Sequence, residues 1–350
     1  MRFISLLIIF SLLIVSCKKQ ETSVNSTNVV HLKKGILVLN EGLYSLNNST
    51  LSWVSEDQSL VEEDFFFQKT GRLLGDTGND LLRYGSKIYV VMNVSSTIEV
   101  LDATSGDHLQ QLSMVASNRP KQPRKIVGYG GNVFVSCFDG YVDVIDTTNF
   151  KVIKRIKVGG NPDALHCVGD KLYVSNSGGL NFPNYDSTLS VIHPNLLRET
   201  HKIVVGANPG KIVSREDGKS IYVIVRGDYG KRPSRLKGIN VSTDEIFFES
   251  TFEVQDIAQF HNGILLYQSN KNSIQLFNTT MNQIENKTVI SNLPVQTFYG
   301  MKYLKNRKEI CVFDANSYTN RGFLHFYSLD GVYKNKYNVG LNPSNLIEFE

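Results

Sequence analysis

Tryptophan is almost missing from this 350-residue chain, where Trp53 stands alone. Cysteine is scarce: the four are Cys17, Cys137, Cys167 and Cys311. The last three are an odd number and lack the paired spacing of zinc sites, which argues against a disulfide framework and a metal site. Each sits in an apolar, strand-like run, where an unpaired thiol behaves as a small buried hydrophobe. A one-sided charge is missing too, with 37 Lys and Arg against 33 Asp and Glu. The densest basic group, Lys302, Lys305, Arg307 and Lys308, surrounds a predicted turn and reads as a solvated surface. It is not the concentrated basic stripe of a nucleic-acid binder. After Val15 no apolar run approaches the roughly 20 residues of a membrane-spanning helix. After Cys17 no stretch has the period and length of a helix.

What is present begins with an export signal: Met1-Arg2, a short apolar run over 3–15, and the small Ser16. Ile14-Val15-Ser16-Cys17 resembles the bacterial lipobox. That resemblance implies a signal peptide over residues 1–16, lipid attachment at Cys17, a flexible tether over 17–34, and membrane contact by the anchor alone. Each buried CH₂ of an acyl chain contributes about 0.8 kcal/mol, so two or more chains hold a protein stably at a bilayer. Lys18-Lys19-Gln20-Glu21-Thr22 partly resembles the surface-export signal of Bacteroidetes lipoproteins. The expected location is the outer membrane at the cell surface. The periplasmic face is the alternative, because only Glu21 in that stretch is acidic.

The rest of the chain repeats itself. One unit opens at Asn161 with NPDALHCV, turns at Gly169-Asp170, and continues as KLYVSN, TLSVIH and HKIVVG. The runs are short and rich in Val, Ile, Leu and Tyr, which is strand patterning. The second-strand core starts at Ile36, Ile88, Val133, Leu172, Ile221, Ile264 and Ile310. Its shortest interval runs from Val133 to Leu172 and its longest from Ile36 to Ile88, close to the roughly 40–50 residues of a four-stranded propeller blade. Third strands recur at Ile98, Val142, Leu189, Ile274 and Leu324. The sequence therefore predicts an all-β, seven-bladed β-propeller over 35–350 with four-stranded blades. The first unit lacks an opening strand, and residues 346–349 supply a surplus one. The prediction is that this C-terminal strand completes the first blade and closes the ring, which leaves only short protected edges. A pair of β-sandwiches or an open solenoid would not explain that pairing of deficit and surplus.

Over roughly residues 35–350 the repeat resembles the YncE-like seven-bladed propellers. The lipobox, the opening Val38-Leu39-Asn40-Glu41-Gly42 and the passage Arg72-Leu73-Leu74-Gly75-Asp76 resemble the BtuG family of cobalamin-binding surface lipoproteins of Bacteroidetes. That resemblance implies capture of a corrinoid and a TonB-dependent outer-membrane transporter as partner. It assigns no ligand residues, so candidates rest on physical grounds.

Binding groups concentrate on loops placed by a rigid scaffold, and long loops are the ones to inspect. Four second-to-third-strand loops are long: 41–48, 176–186, 226–235 and 314–321. By the repeat they share one face, and they share a composition of aromatics, Asn, Gly and Arg, a mixture that binding surfaces use. The ligand-binding candidates are Tyr44, Asn93, Phe138, Asn181, Phe182, Tyr185, Arg226, Tyr229, Arg232 and Tyr318. The set suits a bulky small molecule such as a corrinoid, and it suits a glycan or peptide equally. Asn161-Pro162, Asn208-Pro209 and Asn342-Pro343 recur at matching positions and read as turn formers.

Catalytic signatures are weaker. His193, His201, His261 and His325 fall in or beside strands without ligand spacing, and there is no Gly-x-Ser-x-Gly elbow. Quinoprotein propellers carry recurring Trp motifs, for which Trp53 alone does not suffice. Lactonase-type propellers hold a channel metal, for which Glu41, Asp76 and Asp163 are the only carboxylates considered. Whether Arg119, Arg124, Arg226 and Arg232 converge on an acid is open at this level. The expectation is a non-enzymatic, cofactor-free capture module with no nucleic-acid partner. The alternatives are a scaffold docking a partner protein or envelope glycan and, behind it, a metal-dependent channel hydrolase.

Overall fold

The computed structural model describes residues 32–57, 61–269 and 272–350. Cys17, the signal peptide and nearly all of the tether lie outside them. Seven four-stranded antiparallel sheets form, one per repeat. From the centre outward, blade 1 is Pro343–Phe349, Gly35–Asn40, Thr50–Ser55 and Val61–Glu62. Blade 2 opens with Gly78–Tyr84, blade 3 with Pro123–Tyr129, blade 4 with Pro162–Val168 and blade 5 with Pro209–Ser214. Blade 6 opens with Asp256–Gln259 and blade 7 with Phe298–Leu304.

The ring closes as the repeat predicts. Gly35 pairs with Phe349, Leu37 with Ile347 and Val38 with Leu346. The closing strand carries Leu346 into a core shared by blades 7 and 1, with Ile36, Val38 and Val54 against Cys311, Phe313, Leu324 and Phe326. Fully burying one such aliphatic or aromatic side chain contributes about 1.5–3 kcal/mol.

Burial explains the strand texts. Gly35–Asn40 and Ser220–Val225 are buried at every position, because a second strand has a neighbouring blade on both faces. They therefore read as near-continuous apolar runs and not in strict alternation. Outer strands such as His108–Ser113 bury a single side chain, Leu112, and are otherwise polar except for the exposed Leu109. Cys137 and Cys311 are buried and Cys167 is half-buried, all as free thiols. Burial raises the pKa of each thiol.

The recurrent Asn before Pro has a definite task. Asn161, Asn208 and Asn342 adopt left-handed backbone angles, with φ of 43°, 59° and 55°. Asn tolerates that region better than most residues. The turn aims each carbonyl at the start of its own blade's second-to-third-strand loop. Asn161 O accepts from Ser177 N, Asn208 O from Arg226 N at 3.0 Å, and Asn342 O from Glu41 N at 2.9 Å. Thr77 and Gln122 do the same for Asn93 and Phe138 in blades 2 and 3 without an Asn.

Two elements lie outside the repeat. A helix, Phe65–Thr70, is capped by Asp64 and stopped by Gly71 in the left-handed region. It contradicts the expectation of no helix, and its six residues are too few to show a helical period. A small hairpin pairs Val115–Ala116 with Arg119–Pro120.

Candidate functional site

The four long loops share one face, since each starts beside the turn that opens a central strand. Their backbones are held tightly. In loop 41–49, Leu43 N donates to Asn48 Oδ1 at 2.8 Å and Ser45 N to Asp76 Oδ1 at 3.1 Å. In loop 177–187, Asp186 accepts from Gly160 N at 2.8 Å and Thr188 N at 3.0 Å. In loop 226–234, Asp228 accepts from Arg232 N at 2.8 Å, from the Arg232 side chain at 2.9 Å and from Gly230 N at 3.0 Å. The bonds from Arg232 bring the Asp228 carboxyl down to about 2. In loop 315–320, Tyr318 N donates to Ala315 O at 2.8 Å.

These fixed loops present aromatics to solvent. Tyr44 is 77% exposed, Phe182 72%, Tyr229 75% and Tyr318 51%. Leu46 and Leu180 are exposed on the same loops. The rings are not isolated. Phe182 meets Tyr185 edge-on at 6.0 Å between centroids, and Tyr185 meets Tyr229 at 6.5 Å, which joins the loops of blades 4 and 5. Tyr318 meets Tyr299 at 6.1 Å at the rim of the central channel.

The channel is a cavity of about 970 Å³ lined by the central strands. Its polar side chains form a belt that clasps each blade to the next. Asn345 Nδ2 of blade 1 donates to Asp80 Oδ1 of blade 2 at 2.7 Å. Asp80 Oδ2 accepts from Ile126 N of blade 3 at 3.0 Å. Asp163 of blade 4 takes Arg124 of blade 3 at 3.3 Å and Arg226 of blade 5 at 3.1 Å. Lys211 of blade 5 reaches Asp256 of blade 6 at 2.8 Å, and Asp256 Oδ2 accepts from Met301 N of blade 7 at 3.1 Å. Lys302 of blade 7 donates to Leu346 O and Asn345 Oδ1 of blade 1, at 2.6 and 3.1 Å. The Tyr299 hydroxyl of blade 7 donates to Glu41 of blade 1 at 2.5 Å, and burial followed by that carboxylate raises the phenol's pKa. Burial alone would raise the Asp163 carboxyl. The charges of Arg124, Arg226 and Lys125 reverse this and bring it down to about 2.

Each sequence candidate has a place in this frame. Tyr44, Phe182, Tyr229 and Tyr318 stand on the loop face, Asn181 is exposed beside them, and Tyr185 is half-buried between Phe182 and Tyr229. Phe138 is half-buried under the Arg124 guanidinium, 4.6 Å from its ring centre. Arg226 is committed to Asp163, and Arg232 to Asp228 within its own loop. Asn93 departs from the ligand-facing expectation. It is buried, and its amide donates to Pro123 O at 3.1 Å, joining blades 2 and 3.

Of the four arginines weighed together, Arg124 and Arg226 converge on an acid, while Arg119 lies exposed on the small hairpin. Glu41, Asp76 and Asp163 do not assemble. Asp76 is occupied by the amides of Ser45 and Asn47, and the other two have the partners named above. The basic cluster at the predicted turn also divides. Lys308 is exposed, Lys302 and the exposed Lys305 line the channel, and Arg307 pairs with Glu309 at 2.8 Å. The belt was missed in the sequence although a signal existed. Asp80, Lys125, Lys211 and Asn345 each directly precede the first apolar residue of a central strand.

The chain matches the family described as "Domain of unknown function (DUF5074)" over residues 34–340, and it belongs to that family. No curated relative matches it. Among solved structures it is similar to a quinonprotein alcohol dehydrogenase-like protein from Bacteroides thetaiotaomicron, with a TM-score of 0.68 at 13% identity, covering 91% of this chain and 79% of that one. It is similar to hydrazine synthase of Kuenenia stuttgartiensis, with a TM-score of 0.60 at 14% identity over 74% of this chain and 85% of that one. It is also similar to the computationally designed Ika8 protein, with a TM-score of 0.57 at 11% identity over 90% and 91% of the two chains. At these identities the likeness is one of fold.

Proposed function

We propose that this member of the family is a non-catalytic capture module whose loop face binds a bulky, partly apolar molecule rich in hydrogen-bonding groups. The observation that carries the reading is the set of exposed aromatics at Tyr44, Phe182, Tyr229 and Tyr318, on loops whose backbones are already fixed. Rigid aromatics supply contact area at low entropic cost, and preorganised loops lose little freedom on binding. An exposed apolar patch rimmed by polar groups marks an interaction site. The nearby Asn181 and the loop amides supply polar contacts. The non-catalytic part is supported by the channel carboxylates, which are committed to cations or backbone amides of adjacent blades.

The finer reading follows from the resemblance: a corrinoid as ligand, a TonB-dependent transporter as recipient, and an outer-membrane lipoprotein anchored at Cys17 and facing the cell surface. A corrinoid has an apolar ring edge fringed by amides, which matches aromatics interleaved with amide donors. Calorimetric titration of the purified domain with cyanocobalamin and cobinamide tests it. Saturable heat at micromolar protein is the expected outcome. No heat from either compound contradicts the corrinoid reading. A pull-down from detergent-solubilised membranes that recovers a partner unrelated to nutrient uptake favours a docking scaffold instead.

A further inference from the structure

The belt accounts for every channel carboxylate but not for every channel cation. Asp163 has two arginines, and Asp256 has Lys211 together with the amides of Ile257 and Met301. Asp80 has Asn345, the Ile126 amide and, at 3.9 Å, Lys125. Glu41 has the Tyr299 hydroxyl, and Glu216 the Asn262 amide at 2.9 Å. Lys302 differs. Its two hydrogen-bond partners are neutral oxygens, Asn345 Oδ1 and Leu346 O. An ammonium has three donors, so one remains. Lys305 and His261 also line the cavity.

We propose that the channel binds a small multivalent oxyanion on the side chains of Lys302 and Lys305, which both line the cavity. An ammonium whose hydrogen-bond partners are both neutral can give its third donor to an anion, and a charge taken out of water gains from such a partner. Burial lowers the Lys302 amine, and Lys211 lowers it further, while Asp80 and Glu348 act on it through space and raise it. Glu348 does not supply the missing partner at ion-pair distance. Its carboxylate receives the backbone amides of Asn306 and Arg307. A bound oxyanion would accept the remaining Lys302 donor and offset the two lysine charges. The site is independent of the loop-face reading, because none of its residues belongs to the aromatic loops.

The test is thermal unfolding and phosphorus NMR of the intact domain titrated with inorganic phosphate, against sodium chloride at matched ionic strength. The expected result is a saturable rise in Tm with phosphate only, and exchange broadening of the phosphate line. Lys302→Met should weaken phosphate binding at least roughly tenfold, as loss of one charge-assisted hydrogen bond does. Lys305→Gln, at an exposed position, should weaken it less. A Phe182→Ala/Tyr229→Ala double variant should bind phosphate as the parent does. Equal responses to phosphate and chloride in the parent overturn the proposal, and so does undiminished binding by Lys302→Met. If Lys302→Met does not fold, the parent titration and Lys305→Gln still decide: no line broadening in the parent, or an unchanged Kd in Lys305→Gln, rejects the site.

Discussion

The channel and the loop crown are built from opposite materials. In the channel, charged side chains reach across blade boundaries and find partners, as Asp163 does with Arg124 and Arg226. On the crown, the polar groups hold the loops and the aromatic side chains face solvent. Asp228 holds its loop closed while Tyr229 beside it stands 75% exposed. Polar groups deep in a fold are there to hold it together, since leaving one unpaired is costly. Large apolar groups at a fixed surface serve the fold little and are available to a partner. One ring thus holds a structural centre and a rim of exposed aromatics, the surface we propose for binding.

The sharpest way to break the contrast is at the closure. Ending the chain after Leu341 removes the strand that pairs with Gly35–Asn40 and exposes that buried strand as an edge. We expect loss of the cooperative unfolding transition by circular dichroism, because the deficit exceeds the roughly 5–15 kcal/mol by which domains are stable. Next is Asp163→Ala, which leaves two guanidiniums facing each other. It should cost about 3–5 kcal/mol in urea unfolding.

Two pH effects follow. Asp163 has a folded pKa of about 2 against an ordinary 3.8. An acid with a depressed pKa stabilises the fold above its unfolded pKa and loses that contribution as pH falls through the folded value, here roughly 2 kcal/mol. Asp163→Asn should therefore flatten the acid limb of stability between about pH 4 and pH 2. His166 of blade 4 is half-buried, and that burial holds its pKa down to about 4. The unfolded chain takes up that proton near the ordinary 6.5 and the folded one does not. Stability should fall by about 2 kcal/mol between about pH 7.5 and pH 5, and His166→Leu should remove most of that slope in urea titrations at the two pH values. The smallest expected effect is on the crown. Phe182→Ala and Tyr229→Ala should each change stability by less than about 0.5 kcal/mol.

The sequence made the blades legible because a second strand is buried on both faces. Ile88-Tyr89-Val90-Val91 and Ile310-Cys311-Val312-Phe313 stand out as apolar runs wherever they occur. Closure was legible because the first unit lacks an opening strand and residues 346–349 supply one. The crown could be read because its loops are long. The belt was legible only as polar residues at the head of each central strand, since a residue such as Lys302 has its charged neighbours in sequence at a turn and its partners in space on another blade. Asn93 and Tyr44 show the limit from the other side. Both follow a second strand, but Asn93 sits in a tight turn closed by its own carbonyl to Ser96 N and is covered by Pro123. Helix Phe65–Thr70 was hidden by its brevity.

The direct test of the division between centre and rim is hydrogen exchange on the intact domain with and without saturating cobinamide. Slowed exchange confined to loops 41–49, 177–187, 226–234 and 315–320, and abolished by the Phe182→Ala/Tyr229→Ala double variant at unchanged Tm, is the result expected. Slowed exchange in the central strands with the four loops unaffected, or no change anywhere, would contradict capture at the rim.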